Sequence, residues 1–99
     1  AWSTRLFADA WPEVLITCSC SKNFGLYRDR TGALIVCART ADKLVDIRSQ
    51  LANIARNLWS TPPDHGAAVV ATILGDPELK SLWADEVEGK RLRIAQLRS

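Results

Sequence analysis

Lys22 stands at the end of an apolar run, with Ser19 and Ser21 just ahead of it and Arg30 eight residues beyond. A primary amine is a nucleophile toward a carbonyl carbon and, once released, a general base. The Arg30 guanidinium offers a planar fork suited to phosphate. Ser19 and Ser21 add two hydroxyls from one strand face, and Gly25 lets the backbone approach a ligand closely. An amine, two hydroxyls and a guanidinium in one loop suit an anionic carbonyl compound. A solvated loop lysine is nonetheless the ordinary case, so position alone leaves the role of Lys22 open. Metal chemistry has weaker support, because Cys37 and the single His65 do not add a second ligand pair at usual spacing to Cys18 and Cys20.

The loop has to be carried by the elements on either side of it. Residues 2–10 place Trp2, Leu6, Phe7 and Ala10 on a helical stripe that Pro12 ends. Residues 14–21 alternate, Val14, Ile16, Cys18 and Cys20 on one face and Leu15, Thr17, Ser19 and Ser21 on the other, which predicts a strand with two usable faces inside a sheet. A second short strand is expected over 33–38, after the lysine loop. The clearest helix runs over 41–59, where Leu44, Ile47, Leu51, Ile54 and Leu58 form one stripe behind Thr40 as N-cap. Arg56 lies nearly opposite that stripe, where an arginine is most often a solubilising surface residue. Residues 67–74 are apolar on all sides and fit a buried helix as well as a strand. Asp76 and Pro77 then open a long charged helix as N-cap and first residue.

The composition, 47% hydrophobic and 24% charged over 99 residues, allows one hydrophobic core at most. A net charge of +2, from 13 basic against 11 acidic side chains, is too mild to argue for a nucleic-acid or membrane surface, and no such partner is expected. Three cysteines in strand-like runs fit a reduced, cytoplasmic protein better than a disulfide scaffold. Two strands followed by helices cannot bury helices on both faces, so the pattern reads as a slice of a larger α/β sheet within a longer protein.

The run Ser19-Cys20-Ser21-Lys22-Asn23-Phe24-Gly25-Leu26-Tyr27-Arg28-Asp29-Arg30-Thr31-Gly32 closely resembles the lysine segment of class I pyridoxal-phosphate-dependent aminotransferases, in their aspartate/aromatic branch. Arg56-Asn57-Leu58-Trp59-Ser60-Thr61-Pro62-Pro63-Asp64-His65-Gly66-Ala67 resembles the same branch, in the same order. The resemblance implies an α/β fragment of the large cofactor-binding domain of a fold-type I transferase. Residues 1–75 would belong to that domain, with the lysine loop at 19–32 and helices at 41–59 and 66–74. Residues 76–99 would be a long helix leading toward the small domain. It further implies that Lys22 forms the Schiff base with pyridoxal 5'-phosphate and moves the substrate proton. By the same resemblance Arg30 would hold the cofactor phosphate with Ser19, and more weakly Ser21, beside it. Arg56 would reach across a homodimer interface to the distal carboxylate of aspartate, glutamate or their 2-oxo acids. Thr61 stands where the branch often has Asn, and Cys20 where an aromatic is often seen; both bear on substrate preference, not on the reaction.

Several parts the resemblance calls for have no match in this chain: the aspartate at the pyridine nitrogen, the stacking aromatic, the other phosphate-binding turn and the arginine for the substrate α-carboxylate. The 99 residues alone are therefore expected to be inactive, and the intact protein to be an aminotransferase. Two other readings stand beside it. One is a different fold-type I pyridoxal enzyme, a lyase, synthase or decarboxylase, which the Arg56 block disfavours. The other is a non-catalytic dimerisation module, suggested by four tryptophans and the apolar 67–74 run. His65 reads as a turn residue rather than an acid–base group, and Arg28 with Asp29 as a solvated pair.

Overall fold

The apolar periodicities become six elements in the computed structural model, which describes residues 2–98: α1 (Trp2–Ala10), β1 (Val14–Ser19), β2 (Gly32–Cys37), α2 (Ala41–Trp59), α3 (His65–Gly75) and α4 (Pro77–Gln96). Ala1 and Ser99, the outer ends of the two expected domain segments, lie outside the described residues. The backbone divides into two compact units, Ala1–Cys18 with Gly32–Pro63, and Ser19–Thr31 with Asp64–Ser99.

In the first unit β1 pairs with β2 in a two-stranded sheet. Val14 and Ile16 are half-buried while Leu15 and Thr17 are exposed, so the expected alternation holds at the start of the strand; Cys18, expected on the face of Val14 and Ile16, is exposed. Among the described residues β2 is the neighbour of β1 in the sheet. The strand also stops at Ser19 rather than at residue 21, for a reason that lies in the loop described below. Arg39 and Lys43 both reach Glu13 Oε1, at 3.4 and 3.7 Å. Such exposed pairs contribute about 0–1 kcal/mol.

Helix α2 has the expected bounds, and Thr40 occupies the cap position in extended backbone, φ −138° and ψ 152°. Its hydroxyl accepts no bond from the helix, contrary to the side-chain cap expected; Asp42 in the first turn supplies the negative charge that the helix N-terminus favours. At the other end Ser60 turns into the left-handed region, φ 59°, and its N–H donates to the Arg56 carbonyl at 2.9 Å. Arg56 thus sits in the last turn, where a cation complements the helix dipole.

In the second unit the ambiguous apolar run is a helix, α3, and it packs against α4. Asp76 caps α4 as expected: its Oδ1 accepts from the Glu78 and Leu79 amides at 2.8 and 2.9 Å, with Pro77 in the first turn.

No apolar side chain is fully buried among the described residues. The α2 stripe is half-covered at Ile47 and Leu51, and Leu58 is 66% exposed. Leu15, Trp59 and Leu82 are each at least 60% exposed. Covering one such side chain contributes roughly 1.5–3 kcal/mol. Four of them together therefore approach the roughly 5–15 kcal/mol that holds a whole domain. These faces are built to be covered.

Candidate functional site

The residues that leave β1 make their own turn. The Ser19 hydroxyl accepts the Ser21 N–H at 3.2 Å and lies 3.0 Å from the Ser21 hydroxyl, a local side-chain-to-backbone bond that competes with the sheet ladder. This is why the strand ends at Ser19. Cys20 then anchors the loop through its backbone. Its N–H donates to the Thr31 carbonyl at 3.0 Å, and its carbonyl accepts the Phe24 and Leu26 amides, both at 3.3 Å. Residues 20–31 are thereby closed into a loop whose two ends touch.

Lys22 is exposed near the start of that loop, and its Nζ lies 4.6 Å from the centroid of the Tyr27 ring, within reach of the negative face of the π system. Arg30 is held from the same residue: its Nη1 donates to the Tyr27 carbonyl at 3.2 Å. Tyr27 therefore orients both cations, one by its ring and one by its backbone. Arg30 has φ 51°, a left-handed conformation that a non-glycine residue adopts only when its surroundings hold it there. Gly25, φ 69°, is the other left-handed position in this loop, and there a glycine avoids the cost.

The loop is gripped from outside by α3 and α4. The Trp83 indole N–H donates to the Asn23 carbonyl at 2.8 Å, and its ring stacks on Phe24 with centroids 4.7 Å apart and planes 13° off parallel. Gly66, at the start of α3, is buried where an added Cβ would lie 2.8 Å from the Asp29 Cβ and would fall on the Thr31 hydroxyl oxygen. His65 begins α3, with Nε2 at 4.0 Å from Asp29 Oδ1 and a largely exposed ring. Asp29 pairs with His65 rather than with Arg28, so the solvated Arg28–Asp29 pair does not form. Asp29 is half-buried because α3 lies against it.

Ser19, Ser21, Lys22 and Arg30 are thus brought together by one loop, while Arg56 belongs to the other unit, exposed at the end of α2. The residues that sequence reasoning undervalued are Tyr27, Gly66 and Trp83. Tyr27 and Gly66 lie inside the two motif runs, whereas Trp83 lies outside both. The three cysteines are free thiols, and no group of three or more His, Cys, Asp or Glu is placed to hold a metal among the described residues.

Lys22 and Arg30 thus lie in one loop leaving a β-strand, and both approach Tyr27. The family model described as aminotransferase class I and II matches residues 1–99, and the chain belongs to that family. It is 74% identical over 98 residues to the aromatic-amino-acid aminotransferase of Pseudomonas aeruginosa, covering 99% of this chain and 25% of that protein. It is 44% identical over 98 residues to the cytoplasmic aspartate aminotransferase of Dictyostelium discoideum, covering 99% of this chain and 22% of that protein.

Among solved structures, the aromatic-amino-acid aminotransferase from Burkholderia pseudomallei covalently bound to pyridoxal phosphate superposes with a TM-score of 0.92 at 40% identity, over 98% of this chain and 24% of that one. The mitochondrial aspartate aminotransferase from Trypanosoma brucei gives 0.91 at 40% identity, over 98% and 26%. The α/β fold expected for a portion of such an enzyme is the fold found. The chain spans about a quarter of the length of these relatives. Similar proteins are named as cytoplasmic, mitochondrial and chloroplastic, and no helix among the described residues is long and apolar enough to cross a membrane.

Proposed function

We propose that the protein containing this chain is an aminotransferase that moves an amino group between aspartate, glutamate or an aromatic amino acid and a 2-oxo acid, using pyridoxal 5'-phosphate held on Lys22. The observation that carries the reading is the loop itself: Lys22 and Arg30 are both oriented by Tyr27 and both open to a ligand. The donor set fits the cofactor, since Lys22 offers the amine its aldehyde requires, Arg30 the fork its phosphate requires, and Ser19 a hydroxyl at the same strand end. When bound, the cofactor withdraws electrons from the substrate Cα and accepts the amino group.

The remaining work falls to side chains of this chain. Lys22 Nζ would take the proton from the substrate Cα and deliver it to the carbon on the other side of the transferred nitrogen; a proton carrier must alternate between neutral and charged forms to do this. Arg30 fixes the cofactor's position, so that the same nitrogen serves both ends of the transfer. Ser19 and Ser21 hold the turn that aims Lys22. Arg56 pairs through its guanidinium with the distal carboxylate of a dicarboxylic substrate, reaching it across a homodimer interface. Residues 1–75 would belong to the cofactor-binding domain, and 76–99 lead toward the smaller one. The full protein is placed in the cytoplasm, with no nucleic-acid or membrane partner, and the 99 residues alone do not turn over because they supply only part of the substrate clamp.

The test is to load the full-length protein with pyridoxal phosphate, reduce with borohydride and map the modified peptide. The expected label is on Lys22. Absence of label on Lys22 in an intact, folded protein rejects the proposal.

A further inference from the structure

Trp83 is separated from the lysine loop by 60 residues of sequence, yet it makes two contacts there, both on the residues that directly follow Lys22. Its N–H takes the Asn23 carbonyl at 2.8 Å, and its ring lies flat against Phe24 at 4.7 Å. The first fixes the peptide plane one residue beyond the lysine; the second fixes the side chain after that. An indole joins the two tasks because it presents an apolar face and one directional donor on the same rigid plate. Of the turn that aims Lys22, the strand side is held by Ser19 and Cys20, and the far side has Trp83.

We infer that Trp83 is a positioning residue for Lys22: by holding Asn23 and Phe24 on α4 it keeps the lysine amine aimed for attachment of the cofactor and for proton transfer. The inference rests on the reading of Lys22 as the cofactor lysine. Trp83 touches no reacting atom. Its effect passes through the backbone, so it should appear in how fast and how well Lys22 acts rather than in how tightly substrate binds.

The experiment uses the full-length protein with Trp83→Phe, which keeps the stacking plate and removes the donor, and Phe24→Leu, which keeps the donor and removes the stack. Three quantities are read: amide hydrogen exchange of the cofactor-free protein, the rate at which pyridoxal phosphate attaches to Lys22, and the split between kcat and KM. For Trp83→Phe, exchange over residues 22–26 is expected to rise, and attachment and kcat to fall, by about fivefold each, the factor that one lost hydrogen bond represents. KM stays unchanged. Phe24→Leu moves the same quantities in the same direction and keeps the inference testable if the first variant folds poorly. Unchanged attachment rate and kcat, with exchange rising only along α4, would make Trp83 a packing residue and overturn the inference. If unsubstituted protein takes no cofactor on Lys22, the proposed function fails. The inference is overturned independently if hydrogen exchange over 22–26 is also indifferent to Trp83.

Discussion

Gly66 and Thr31 are packed so closely that no side chain fits between them. A Cβ on Gly66 would fall on the Thr31 hydroxyl oxygen and lie 2.8 Å from the Asp29 Cβ. Thr31 and Asp29 flank Arg30, and the Thr31 hydroxyl donates to the Asp29 carbonyl at 3.3 Å. The start of α3 therefore sets the pose of the residue assigned to the cofactor phosphate. Gly66→Ala is expected to destabilise the full-length protein by about 1–3 kcal/mol, the usual cost of overpacking, and to weaken cofactor binding as the loop shifts. Denaturant midpoints and a cofactor titration check both; a variant with unchanged affinity would separate α3 from the site.

Arg30 combines a strained backbone with a planar fork. Arg30→Lys keeps the charge and loses the bidentate geometry, so the dissociation constant for pyridoxal phosphate should rise about tenfold. Equilibrium dialysis of full-length protein reads it directly. An unchanged constant removes Arg30 from the phosphate site.

The role proposed for Arg56 predicts a difference between substrate classes. With Arg56→Leu, kcat/KM for aspartate should fall about a hundredfold, equivalent to two charge-assisted hydrogen bonds lost, while phenylalanine changes little. Equal losses for both substrates would show that Arg56 acts on the fold and not on the distal carboxylate.

Asp76 is the cap whose bonds are all visible. Asp76→Ala should cost about 1 kcal/mol by leaving the Glu78 and Leu79 amides without their acceptor, and Asp76→Asn should restore most of it. Thermal unfolding of the full-length protein distinguishes the two variants. Equal midpoints for both would mean that water satisfies the amides as well as Asp76 does.

One exposed pair on α4 gives a pH-dependent signal. Hydrogen bonds from the Arg91 guanidinium, at 2.6 and 2.7 Å, hold the Glu88 carboxyl below its ordinary range, aided by the positive charge itself. Because the folded value lies below the unfolded one, the pair's contribution is present above the ordinary carboxylate range and is lost as pH falls through the lowered value. The contribution is small, since the pair is in solvent. In an NMR titration of full-length protein, Arg91→Gln should raise the Glu88 midpoint toward the ordinary value; an unmoved midpoint contradicts the pairing.

The elements were legible wherever one residue's neighbours in sequence decide its state. Helix α2 follows from a stripe of five apolar residues, and α4 from Asp76 and Pro77 at its start. That Lys22 and Arg30 lie in one loop was legible because they stand only eight positions apart. Helix α3 was legible only through the family resemblance, because a run apolar on all sides has no period that separates helix from strand. Trp83 and Tyr27 stayed hidden for a related reason. Composition marks an aromatic as apolar, and only the folded chain shows which backbone carbonyl or which cation it meets. Along the α2 stripe exposure rises toward the C-terminal end, where Leu58 is 66% exposed.

The contact between Trp83 and Asn23 has a consequence in time. The two residues are 60 positions apart, and a chain emerging from the ribosome at roughly 5–20 residues per second delivers the tryptophan roughly 3–12 s after the lysine loop. During that interval Lys22 is an amine on an unsupported turn. The expected order of events is therefore synthesis of α4 first and capture of the cofactor afterwards. Stalled nascent chains ending before and after residue 83, probed for borohydride-fixed cofactor on Lys22, would display that order.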